Sequence, residues 1–167
     1  MDLAQAKQDI EQWIQNFVEV PHPALGGWPP CPFARAARLR GSYEILIGND
    51  PYFDLKNRAR WGLYSREVVI YVYDAEEWNS RLLAASIESA NIEHLLKNNL
   101  IALGDHPQDP EIVNGVAMNQ GTYALALVQS LSDLNHRART IARQGFYNNW
   151  PEDYLQELFQ HREDPRQ

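Results

Sequence analysis

Val68-Val69-Ile70-Tyr71-Val72-Tyr73 runs straight into Asp74. An unbroken series of β-branched and aromatic residues suits a pleated surface buried on both faces, so this run reads as a central strand. Asp74 reads as the cap of a following helix, with Glu76 and Glu77 in a first turn where the helix dipole favours negative charge. Helical spacing continues through Leu82, Leu83, Ile87, Ile92, Leu95 and Leu96, as one helix or as two broken near Ser89. Leu100-Ile101-Ala102-Leu103 then reads as a strand leading to Gly104-Asp105-His106-Pro107. On the other side of the central run, Tyr43-Glu44-Ile45-Leu46-Ile47 reads as a strand and Gly48-Asn49-Asp50-Pro51 as a turn. Residues 52–66 mix apolar and basic side chains and fit neither period.

Working outward, Ile10, Trp13, Ile14, Phe17 and Val18 mark one face of a helix over 3–18, stopped by Pro21 and Pro23. A short helix over about 31–39 should end at Gly41. Asn114-Gly115, between Ile112-Val113 and Val116-Ala117, has the signature of a tight type I′ hairpin. Residues 122–128 read as a strand and 131–144 as a helix ended by Gly145. A last helix begins at Pro151, with the turn Phe146-Tyr147-Asn148-Asn149-Trp150 before it folding back as a lid or brace. This order predicts one α+β domain over 1–167, with a mostly antiparallel sheet of about four to five strands packed by helices.

Composition narrows the function classes. A net charge of -7 argues against nucleic acid, since phosphate binding rests on a basic surface. The single cysteine rules out an internal disulfide, and Met1-Asp2-Leu3-Ala4-Gln5 lacks the features of a signal peptide. No apolar run approaches the roughly 20 residues that span a bilayer. The expectation is a cytoplasmic protein with no membrane association and a small-molecule ligand; a homodimer is left open.

That cysteine, Cys31, follows a segment rich in proline, 21–30, that cannot be regular structure. With Pro32 as the first helical residue, its sulfur would sit at a helix N-terminus below Arg35 and Arg38, a setting that favours a thiolate. Packing as a small hydrophobe is the alternative. Cysteine-pair exchange is excluded, because Ala34 stands where a Cys-x-x-Cys partner would be. His22 and His106 each precede a proline in a turn, where a histidine can act as a base or an axial ligand or simply face water. No histidine spacing matches a metal site. Arginines crowd the region 35–66, and with Trp28, Phe33 and Trp61 they would suit a flat ligand carrying a carboxylate, or form a solvated face. Cys31 and His22 are the catalytic candidates; Arg35, Arg38, Trp28, Phe33, Trp61 and His106 are the binding candidates.

His22-Pro23-Ala24-Leu25-Gly26 followed by Cys31-Pro32-Phe33-Ala34 resembles small uncharacterised bacterial domain families that share a His-Pro-x-Leu-Gly loop, then Cys-Pro-Phe and a basic helix. More distantly, the order of elements is similar to that of small heme-dependent N-oxygenases. The corresponding places are Pro30-Cys31, Val68 to Tyr73, Trp78 to Leu96 and Asp109-Pro110. That resemblance implies a tailoring enzyme, with heme as its cofactor, acting on an amine or amino-acid-like substrate. A thiol enzyme or redox sensor using Cys31, and a non-catalytic binding protein, are the other two readings.

Overall fold

The computed structural model describes residues 1–167. In chain order, α1 (Leu3–Trp13) widens into a π-helical turn over Ile14–Val18, where the Glu19 N–H bonds the Ile14 carbonyl at 3.0 Å. After the proline segment come α2 (Ala34–Arg40), β1 (Tyr43–Ile47), α3 (Pro51–Trp61) and β2 (Val68–Tyr73). Next, α4 (Ser80–Ala90) passes through a second π-helical turn over Asn91–Leu95 to β3 (Leu100–Asp105). The hairpin β4 (Ile112–Val113) and β5 (Val116–Ala117), β6 (Ala124–Ser130), α5 (Leu131–Ala142) and α6 (Glu152–Leu158) complete the α+β fold.

The four-stranded sheet has the order β1-β2-β6-β3. Its two ladders to β6 are antiparallel and the β1–β2 ladder is parallel, with α3 as the crossover between the parallel strands. The run that reads as central is so: Val69, Ile70, Tyr71, Val72 and Tyr73 are all buried. Alternation sends Val69, Tyr71 and Tyr73 to one face, against Leu55 of α3 and Leu83 and Ile87 of α4. Ile70 and Val72 go to the other, against Ala6, Ile10 and Ile14. Gly48 permits the Tyr73 ring to lie flat against the β1 end, since a Cβ there would stand 2.1 Å from Tyr73 Cε1.

Several boundaries differ from the sequence expectation. The 52–66 region begins as a helix because Asp50 caps it, accepting from the Phe53 N–H at 3.1 Å, and Pro51 opens its first turn. Asp74 caps only an isolated turn, through Glu76 and Glu77, and Asn79 caps α4 instead. The helix after Cys31 starts three residues late, at Ala34, because Cys31 and Pro32 belong to the loop.

On its second face the sheet is covered unequally. The N-terminal helix packs over β1, β2 and Leu125. Leu103, Leu127 and Gln129, on the β3–β6 half, face instead toward α5, α6 and the proline loop. A third cluster holds these pieces together: Leu25, Ala138, Ile141, Phe146, Tyr147, Trp150, Leu155 and Phe159. A cavity lies between this cluster and the sheet.

Candidate functional site

The cavity is about 480 Å³, and 16 of its 25 lining residues are hydrophobic, so its occupant must be largely apolar. Strands β3 and β6 supply the floor. Trp13 at the end of α1, with Phe17 and Val18 of the first π-helical turn, forms one wall, and Pro30 to Phe33 continue it. The opposite wall is aromatic: Phe146, Tyr147, Trp150 and Tyr154, with the Phe146 and Trp150 rings 5.3 Å apart. The expected lid or brace at 146–150 is therefore a wall.

The proline segment is fixed by local bonds. Cys31 N–H donates to the Val18 carbonyl at 3.0 Å, which staples the loop to the end of the first helix. His22 closes the other end, pairing its backbone with Trp28 and accepting from the Ala24 N–H on Nδ1 at 3.2 Å. Gly26, at φ 69°, makes a left-handed turn pressed on Asn149; a Cβ would stand 2.6 Å from the Asn149 side-chain nitrogen. That turn drives Leu25 into the aromatic cluster, where it is fully buried.

Of the residues singled out in the sequence, Cys31 and Phe33 line the cavity. The others fall elsewhere. Trp28 packs edge-on against Phe146 at 5.5 Å, behind the wall. Arg38 is occupied by a bidentate pair with Glu19, at 2.9 and 2.6 Å, that locks α2 to the first helix. Arg35 is exposed, and Trp61 is 55% exposed near the end of α3. His106 is buried at the end of β3 with both ring nitrogens engaged. Nε2–H donates to the Trp78 carbonyl at 2.9 Å, and Nδ1 accepts from the Gln108 N–H at 3.0 Å. The arginine-rich region and the cavity are thus different places, because helix pairing turns most of those guanidinium groups outward or against carboxylates.

Three polar corners, none of them singled out in the sequence except at Cys31, break the apolar lining. The first holds Cys31, Phe33 and Arg137, whose guanidinium carbon lies 5.2 Å from the Phe33 ring centre. Cys31 is half-buried at the cavity wall. Burial pushes its thiol up, against the opposing pull of the Phe33 and Ala34 amides and of Arg137. The helix-terminus amides expected from the sequence are present, but desolvation outweighs them. Alkylation of Cys31 by iodoacetamide should therefore gain rate only above the ordinary thiol range of about 8.5. A rate midpoint at or below that range would restore the thiolate reading.

The second corner is acidic: Asp105 at the end of β3, Glu111 before β4, and Glu157 on α6. Both oxygens of Asp105 accept hydrogen bonds, from Asn119 at 2.7 Å and the Gln120 N–H at 2.8 Å. Glu111 is less satisfied, with the Tyr154 hydroxyl donating to Oε2 at 3.0 Å and no protein donor on Oε1. Burial raises both carboxyls above the ordinary range, and Asp105, Asp109 and Glu157 raise Glu111 further. The third corner joins Tyr147 and Arg162, with the Arg162 guanidinium 5.1 Å from the Phe159 ring centre.

The residues present do not fit a heme held by histidine. No histidine lines the cavity; His22 turns Nδ1 to the backbone, and His106 turns both ring nitrogens to it. No group of three or more His, Cys, Asp or Glu side chains is arranged to hold a metal ion. No helix is long and apolar enough to cross a membrane. The chain matches no protein-family model, no curated protein and no solved structure.

Proposed function

We propose that the protein is a small-molecule enzyme that holds a flat, amine-bearing substrate in this cavity and moves a proton at Glu111. The observation that carries the reading is the acidic corner set into an otherwise aromatic and aliphatic chamber. A carboxyl raised by burial and by neighbouring carboxylates is suited to general acid–base work, and its free Oε1 leaves room for a donor on the substrate. An ammonium group placed there would relieve the repulsion among Asp105, Glu111 and Glu157. The aromatic wall supplies stacking surface for the remainder of the molecule.

Titration with 2-phenylethylamine, followed by tryptophan fluorescence, tests this reading, because Trp13 and Trp150 line the cavity. Saturable binding is expected, tightening as pH rises through the raised carboxyl range, since the ammonium favours ionised Glu111. Glu111→Gln should weaken it about ten- to a hundredfold, the worth of a hydrogen bond to a charged group. Absence of saturable binding, or a Gln variant that binds as well as the parent, sinks the proposal.

A further inference from the structure

Arg162 is the one guanidinium in the cavity wall without a counter-ion. It follows α6, and its side chain lies against Phe159 and beside Tyr147. Its Nε is shut off from solvent and has no hydrogen-bond partner, and Nη1 reaches only the Leu158 carbonyl, at 3.4 Å. No carboxylate pairs with it, whereas the neighbouring Arg166 takes both Glu152 and Asp164. Desolvation by burial destabilises its charged form. A guanidinium cannot escape this cost by losing its proton at ordinary pH, so it is a charge awaiting a partner. Arg137, the other cavity arginine, already pairs with Glu67, which it shares with Arg40.

We infer that Arg162, with the Tyr147 hydroxyl beside it, is the receptor for a carboxylate on the cavity's ligand, so that the substrate is a flat carboxylic acid carrying the amine proposed above. The planar fork of arginine matches a carboxylate in two parallel hydrogen bonds. Charge arithmetic favours a monoanion over a phosphate. With Arg137 held by Glu67, one unpaired guanidinium faces a chamber that also holds Asp105, Glu111 and Glu157. A dianion would meet those carboxyls with only one cation to balance it. The aromatic residues Phe146, Tyr147 and Trp150 lie along the same wall as this corner, so a ring and its carboxylate can be bound together. The inference rests on the cavity being the substrate site, and it adds an end to the molecule that the acidic corner does not specify.

The test compares 3-phenylpropionate with its methyl ester, which has the same ring and chain without the charge, by calorimetric titration of the intact protein. The acid should bind about tenfold or more tightly than the ester, as a charge-assisted pair requires. Arg162→Met, which preserves an apolar stem over Phe159, should remove that preference without weakening 2-phenylethylamine binding. Arg162→Lys should recover only part of the preference, because it keeps the charge and loses the fork. An ester that binds as well as the acid to the unaltered protein overturns the inference without reference to any variant, as does an Arg162→Met protein that retains the preference. If amine binding persists in that case, the Glu111 reading stands alone. If no flat probe binds, both fall.

Discussion

Replacing Asn91 with leucine should cost the fold about 2–4 kcal/mol, read as a lower urea midpoint at unchanged slope. Strand β3 is an edge of the sheet, so the backbone groups on its outer side have no strand partner. Asn91 closes part of it. Its Nδ2 donates to the Ala102 carbonyl at 3.0 Å, and its Oδ1 accepts the Ala102 N–H at 2.8 Å, as a neighbouring strand would. The residue is 4% exposed, so water cannot take over when the amide is lost. Leucine keeps the branching and the heavy-atom count but is bulkier, so it leaves no cavity and adds some overpacking to the cost of two stranded backbone groups. A loss below about 1 kcal/mol would mean that the strand end relaxes to find other partners. The π-helical turn over Asn91–Leu95 begins at this residue, so the irregular winding coincides with the amide that closes the strand edge.

The sheet was legible in the sequence for a reason visible in Val68–Tyr73. A strand buried on both faces has no polar position, and its composition alone reveals its central place. The hairpin was legible too, since Asn114 and Gly115 adopt φ 51° and 80°, the positive values that a type I′ turn demands. The parallel β1–β2 pairing was less so, because it depends on the 52–66 region becoming a crossover helix, and that helix owes its start to one aspartate and one proline rather than to a strong apolar stripe. The cavity was the least legible part. Cys31 and Phe33 were signalled by the proline segment, but Asp105, Glu111, Tyr147, Trp150 and Arg162 come from segments far apart in the chain. What joins them is the packing of Leu25 into the C-terminal aromatic cluster. Individually they read as a strand end, a hairpin flank, a turn and a tail. For Arg162 the sequence carries no such signal, since Glu163 and Asp164 beside it suggest a paired arginine.

Acid should weaken the protein through Glu67 more than through any other paired carboxylate. Its side chain is 19% exposed and accepts from Ser42, from Arg40 at 2.6 Å and from Arg137, joining the end of α2, the start of β1 and α5. Burial acts to raise its pKa, but these three donors outweigh it and hold the carboxyl at about 2, against an ordinary value of 4.5. A depressed folded-state pKa means that the unfolded chain binds the proton first. The stabilisation is therefore complete above pH 4.5 and is lost as pH falls toward about 2. At 1.36 kcal/mol per unit, the amount lost is about 3 kcal/mol. Urea unfolding across that window should show this slope in the parent protein, and Glu67→Gln should start less stable and remain flatter. A parallel slope in the two proteins would assign the acid sensitivity to other carboxyls. The same variant reaches into the cavity, because Arg137 loses the anion that pairs with it. A second unpaired guanidinium would then stand beside Phe33, and 3-phenylpropionate should bind Glu67→Gln more tightly than it binds the parent at pH 7. A stability loss without that gain would show that the carboxylate is held at the Arg162 corner alone.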